Sequence, residues 1–210
     1  MSSTPAVERL SIAGPAGPLE AIVEDSNAAG PFYAVVCHPH PLFGGTMENK
    51  VVTTMARALR EVGTATLRFN FRGVGKSTGT YDHGIGETLD AAAVAAFGAS
   101  RWPERRLVLG GFSFGSFVAL RLSQGRDIAR LIIVAPPVDK FDFGALKSPG
   151  CPWVVVQGDA DEVVDPRCVL AWAETADPKP RLVVMPGVGH FFHGALALLR
   201  AAVIDEVRSG

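Results

Sequence analysis

The sequence is short of several things. It has three cysteines in 210 residues, Cys37, Cys151 and Cys168, an odd number with no C-x-x-C spacing. Neither a disulfide framework nor a zinc cluster follows from that pattern, and the three read as reduced thiols packed as small apolar residues. Charge of one sign is not in excess, since 20 Lys and Arg face 21 Asp and Glu for a net −1. A surface that tracks phosphates needs a basic surplus, so no nucleic acid and no membrane is expected as a partner; a small neutral molecule is. No uncharged apolar run approaches the ~18 residues of a membrane span, and the apolar C-terminal segment is broken by Arg200. Residues 1–5 carry neither a basic n-region nor an apolar h-region, so a cytoplasmic location is expected.

What is present is apolar residue, 48% of the chain against 20% charged, which excludes disorder. The length favours one domain over residues 1–210. Short β-branched runs alternate with longer helical patterns, and Gly, Pro, Asp or Asn marks each switch, the signature of an α/β chain with a parallel sheet. Strands are expected at Glu8–Ile12, Leu19–Val23, Tyr33–Cys37, Thr64–Phe69, Arg106–Leu109, Ile128–Ala135, Trp153–Gln157 and Arg181–Met185. Helices are expected at about Met47–Val62, Glu87–Ser100, Phe114–Gln124 and Ala195–Val207, with another opening at Asp165-Pro166, Asp as N-cap and Pro at the first helical position. The result is a doubly wound, mostly parallel sheet of about eight strands with helices on both faces. Only the 17 residues 136–152 separate two of the later strands, too few for a cap domain.

The sharpest local signal is Gly111-Phe112-Ser113-Phe114-Gly115, a G-x-S-x-G between a strand and a buried helix. Such a turn holds a serine on a strained corner, where side chains on the flanking residues would meet neighbouring backbone. The pattern is short enough to arise by chance, and its placement between those two elements is what makes Ser113 a candidate nucleophile. Ser116, one turn on, reads as a packing residue. A serine hydroxyl needs a base to take its proton, and the base needs an acid to hold it.

Four carboxylates follow the Trp153–Gln157 strand. Asp161 fits the acid, Asp159 reads as a ligand of turn backbone, Glu162 as a solvated charge and Asp165 as the helix cap. After the last strand, Gly187-Val188-Gly189-His190 offers His190 as base on a mobile loop, with His193 as a surface or capping residue. The order Ser113, Asp161, His190 is that of α/β-hydrolases. A developing oxyanion needs preorganised N–H donors. Phe114, directly after the serine, is one. In His38-Pro39-His40-Pro41-Leu42 the prolines have no N–H, so His40 or Leu42 supplies the second, and His40 is preferred.

With these residues in view, the chain resembles the α/β-hydrolase superfamily, and within it the small lidless bacterial serine hydrolases related to dienelactone hydrolase. The matching pieces are Cys37 to Pro41 with Gly44 to Val52, Asn70 to Ser77, the corner at Ser113, Gly158 to Asp161, and Gly189 to Phe192, which span most of the chain. The resemblance implies a serine carboxylesterase with Ser113, Asp161 and His190 as triad, acting through an acyl-enzyme on a small ester, with no cofactor. Dienelactone hydrolase itself uses a cysteine nucleophile, so its own substrate does not carry over.

Several features have plainer readings. Gly75-Lys76-Ser77 ends like a phosphate-binding loop, but position 70 is Asn and no helix pattern follows. Arg72 reads as a tie between loops and His83 as a polar loop residue. His38, His40, His190 and His193 suggest a metal site only weakly, because no acidic ligand follows His40 and Ser113 would be idle. Phe43, Phe191 and Phe192 are candidates for pocket walls or core; Trp153 and Trp172 are core. The rival readings are a metal-dependent hydrolase, a non-catalytic binding module on the same fold, and cleavage of an amide or thioester by the same triad. No residue pattern encodes the acyl group, the alcohol or the oligomeric state.

Overall fold

The computed structural model of the protein describes residues 7–26 and 30–209; the N-terminal stretch read for targeting signals lies outside them. Its centre is an eight-stranded sheet in the order β1-β2-β4-β3-β5-β6-β7-β8. The strands are β1 (Val7–Gly14), β2 (Gly17–Glu24), β3 (Phe32–Cys37), β4 (Ala65–Phe69), β5 (Arg106–Phe112), β6 (Arg130–Val134), β7 (Trp153–Gly158) and β8 (Arg181–Met185). The hairpin β1–β2 joins the sheet antiparallel through β4, and every later pairing is parallel. The helices are α1 (Lys50–Glu61), α2 (Ile85–Arg101), α3 (Phe114–Ser123), α4 (Pro166–Thr175) and α5 (Leu196–Arg208).

Alternation along the central strands builds two cores. Val35, Leu109, Ile133 and Val155 point to one face, where they meet residues of α2, α3 and α4. Their neighbours Val36, Val108, Ile132 and Val154 point to the other, against α1 and α5. A strand buried on both faces must be apolar throughout, which is why these runs are continuous in sequence. Between β6 and β7, residues 135–152 form no helix or strand, and among the described residues no cap stands over the sheet.

Several boundaries differ from the sequence expectation, and four of them have a clear local reason. Helix α1 starts at Lys50, because Asn49 accepts the Val51 N–H at 2.9 Å as its cap while the Met47 N–H goes to Asn70. Helix α2 starts at Ile85, two residues early, because the Glu87 carboxylate reaches back to accept the Gly84 N–H at 2.7 Å. Strand β5 runs on to Phe112, since Gly110 and Gly111 keep their pairing with Ile132 and Ile133. Strand β6 ends at Val134, where Ala135 turns out at φ +47. Asp165 does cap α4, with Pro166 in its first turn.

Candidate active site

Ser113 is the corner between β5 and α3. Ser113 sits at φ +53 and ψ −123, a conformation costing a non-glycine residue about 1–3 kcal/mol, held by the Ser113 N–H on Val134 O at 2.9 Å. Both glycines are sterically required. A Cβ on Gly111 would lie within 3.0 Å of Gly115 backbone, and one on Gly115 within 3.0 Å of the Cys37 and His38 carbonyls. The second contact means that the corner and the loop after β3 touch backbone to backbone. Ser116 is fully buried, with Oγ 2.9 Å from both Gly111 O and Val134 O, and fastens the corner from below.

Asp161 lies in the loop after β7. Its Oδ1 accepts the N–H groups of Val163 at 2.9 Å and Val164 at 2.7 Å, and its Oδ2 accepts from Gln157 at 3.1 Å. His190, 3% exposed in the loop after β8, places Nδ1 2.8 Å from Asp161 Oδ2 and Nε2 3.1 Å from Ser113 Oγ. Burial alone would push the Asp161 carboxyl up; the hydrogen bonds from His190, Val164 and Val163 outweigh it and hold the carboxyl below the usual carboxylate range. A carboxylate on Nδ1 keeps the proton there, so Nε2 presents its lone pair to the serine hydroxyl.

The loop that carries His190, expected to be mobile from its two glycines, is pinned instead. Glu162, expected to be a solvated charge, accepts the His190 backbone N–H at 3.1 Å. Asp159 accepts the Gly187 N–H at 2.6 Å, and the Ala160 N–H reaches Val188 O at 3.2 Å. A Cβ on Gly158 would fall within 3.0 Å of Val188 O, so the loops after β7 and β8 are packed into one unit. Sequence reading missed Glu162; the one available hint was a third carboxylate beside the strand end.

The loop after β3 is equally fixed. The N–H groups of Phe43 and Gly45 both reach His40 O at 3.1 Å. The Leu42 N–H is occupied by His40 Nδ1 at 3.2 Å, whereas among the described residues the N–H groups of His40 and Phe114 have no acceptor. His38, fully buried, donates from Nδ1 to Pro39 O at 2.6 Å and accepts the Phe71 N–H on Nε2 at 3.0 Å. Burial drives it down to about 3, so it is neutral and ties the loop to the segment after β4.

Of the other candidates, Arg72 forms a bidentate pair with buried Asp90 of α2, at 3.0 and 2.7 Å, so it is structural but ties the loop after β4 to a helix, where a tie between loops was expected. In the phosphate-loop lookalike, Glu20 accepts the Lys76 N–H at 3.0 Å and Ser77 Oγ donates to Asn70 O at 2.7 Å, so a carboxylate stands where a phosphate would. Cys37 is buried and its thiol is pushed up; Cys151 is pushed up to about 11 by burial, and Cys168 is exposed rather than packed inside. Phe192 belongs to the core, His193 is exposed and stacks on Phe191, and Phe43 is 86% exposed. Among the described residues, no three His, Cys, Asp or Glu side chains are grouped to hold a metal ion, and no helix is long and apolar enough to cross a membrane.

A family model described as alpha/beta hydrolase matches residues 34–145, more than half of the chain. The chain belongs to the alpha/beta hydrolase family. An α/β serine hydrolase without lid from Xanthomonas campestris is 46% identical, covers 100% of this chain and 96% of its own, and superposes with a TM-score of 0.93. An alpha-beta serine hydrolase homologue from Coxiella burnetii is 44% identical over 95% of this chain and 97% of its own, with a TM-score of 0.92. The uncharacterized protein RP471 of Rickettsia prowazekii is 39% identical over 157 residues, 72% of this chain. This hydrolase-family chain spans about two thirds of the length of the curated relatives it matches, 66% and 64%.

Proposed function

We propose that the protein is a serine hydrolase that cleaves small carboxylic esters through an acyl-enzyme, with Ser113 as nucleophile, His190 as base and Asp161 as its orienting acid. The observation that carries this reading is the unbroken line of hydrogen bonds from Ser113 Oγ to His190 Nε2 at 3.1 Å and from His190 Nδ1 to Asp161 at 2.8 Å. Both contacts are short enough for proton transfer without rearrangement.

In the first half-reaction His190 Nε2 takes the hydroxyl proton as Ser113 Oγ bonds to the ester carbon. The negative charge that develops on the carbonyl oxygen meets the N–H groups of Phe114 and His40. Collapse breaks the bond to the alkoxy oxygen, which leaves as the alcohol with the proton from His190. Water enters, His190 removes its proton, and the acid departs as Ser113 regains its own. Asp161 stays ionised throughout, because its oxygens already receive three N–H groups besides the imidazole. Among the described residues no cap covers the cleft, so short acyl groups should be turned over better than long ones.

The test is a series of nitrophenyl esters of increasing acyl length with wild type and Ser113→Ala, together with a fluorophosphonate probe. Labelling that depends on Ser113, and a rate that falls beyond short chains, is the expected result. A folded wild type that neither labels nor hydrolyses any ester would overturn the reading.

A further inference from the structure

Beside the corner, aromatic rings are gathered on the surface, next to the exposed aliphatic side chain of Leu42. Phe114 follows the nucleophile directly, and its buried ring lies 5.1 Å from the His40 ring and 5.8 Å from the Tyr81 ring. His40 and Tyr81 are 4.8 Å apart and half-buried. From His40 the series continues to Phe43 at 4.6 Å. On the opposite flank, Phe191 stands edge-on to the His190 ring at 5.2 Å and is 46% exposed. Rings tilted by 39° to 54° to one another thus lead from the neighbour of the reacting serine outward to solvent.

We infer that the ester taken by this site carries a flat aromatic group next to the scissile bond, packed against the tilted rings of His40, Phe43 and Tyr81. This rests on the serine-hydrolase reading above and goes on to name its substrate class. Because residues 135–152 form no helix or strand and among the described residues no cap stands over the sheet, the cleft offers one wall rather than a tunnel. An alkyl chain on one wall buries a single side and loses the freedom of every rotor it orders. A rigid aryl group has almost no rotors to lose and gains a face-on or edge-on ring contact. A bare wall of fixed aromatics therefore discriminates by shape where an enclosed pocket would discriminate by volume.

The experiment uses esters matched in everything but the ring: ethyl phenylacetate against ethyl cyclohexylacetate for the acyl side, and benzyl acetate against cyclohexylmethyl acetate for the alcohol side. Rates are followed by proton release, so that no aromatic leaving group intrudes. A kcat/KM preference for the aryl member of roughly two- to ten-fold in at least one pair is expected. In Phe43→Leu, whose side chain remains apolar and exposed, that ratio should fall toward one, and Tyr81→Leu should do the same; thermal unfolding of each variant confirms that it is folded. Equal or inverted ratios in both pairs, or a preference that survives both substitutions, overturn the inference. Hydrolysis of ethyl acetate without any aryl preference sinks only this inference. Absence of both hydrolysis and fluorophosphonate labelling in folded protein sinks the serine-hydrolase reading, and this inference with it.

Discussion

Two histidines, in the loops after β3 and after β8, are equally hidden from water and differ in what holds them. His38 is 0% exposed and His190 is 3% exposed, and each has both ring nitrogens in hydrogen bonds. The partners of His38 are a backbone carbonyl and a backbone N–H, neither of which can take up or release a proton at ordinary pH. The partners of His190 are a carboxylate, which welcomes a positive ring, and a hydroxyl, which can give a proton away. Burial alone therefore does not make an imidazole a base; the chemistry of the two groups touching it does. One ring is a fastener and the other is proposed as the proton carrier.

Substitution at the two positions should separate these roles. Ser113→Ala should lower kcat by about 10⁴–10⁶-fold with little change in the midpoint of urea unfolding, and His190→Ala should lower kcat as far. His38→Ala should do the reverse, costing about 2–4 kcal/mol in the same unfolding assay, because the Pro39 carbonyl and Phe71 N–H lose their partner, while kcat of the folded fraction falls far less. Equal loss of activity from both, in folded protein, would erase the distinction.

The pH dependence of stability sharpens it further. His38 stays neutral in the fold down to about 3, whereas an unfolded histidine binds a proton near pH ~6.5. Above that value both states are neutral and the contribution is complete. As the pH falls from about 6.5 toward 3 the unfolded chain gains a proton that the folded chain refuses, so stability declines by up to about 5 kcal/mol. Denaturation curves across that window should slope down with falling pH, and His38→Gln should flatten them.

Smaller effects test the surroundings of the proposed proton carrier. His40 has φ −55, which a proline accepts, so His40→Pro removes one N–H with the backbone path kept. A fall in kcat of about 10²–10³-fold is expected, against a much smaller one in His40→Asn, which keeps the N–H and can still accept from Leu42. Comparable rates for the two variants would remove His40 from the oxyanion site. Glu162→Ala, which frees the His190 backbone, should lower kcat by about two- to ten-fold and leave KM nearly unchanged, as steady-state kinetics would read.

The sheet was legible because its central strands are buried on both faces and so announce themselves as unbroken apolar runs. The candidates Ser113, Asp161 and His190 could be named from sequence because each follows a strand end in a short turn that contains or is opened by glycine. The locking of the loops was not. Glu162 meets the His190 N–H across 28 residues and His38 meets Phe71 across 33, and no periodicity connects residues in two turns. Helix starts at 47–50 and 85–87 were misplaced for a related reason: the capping side chains Asn49 and Glu87 decide them, and hydrophobic spacing does not report on caps.

The stretch from 135 to 152 has a consequence for how such a chain can change. The segments carrying Ser113, Asp161 and His190 are braced against one another, so new sequence added to any of them would disturb the others. The turns after β6 reach those segments at two points, Lys140 Nζ on Val163 O and the Phe141 ring 5.3 Å from that of Phe114, and residues 144–150 lie outside both. Extra chain inserted there would build a roof over the cleft while leaving the chemistry beneath intact, so that what the protein admits and what it does to it can evolve separately.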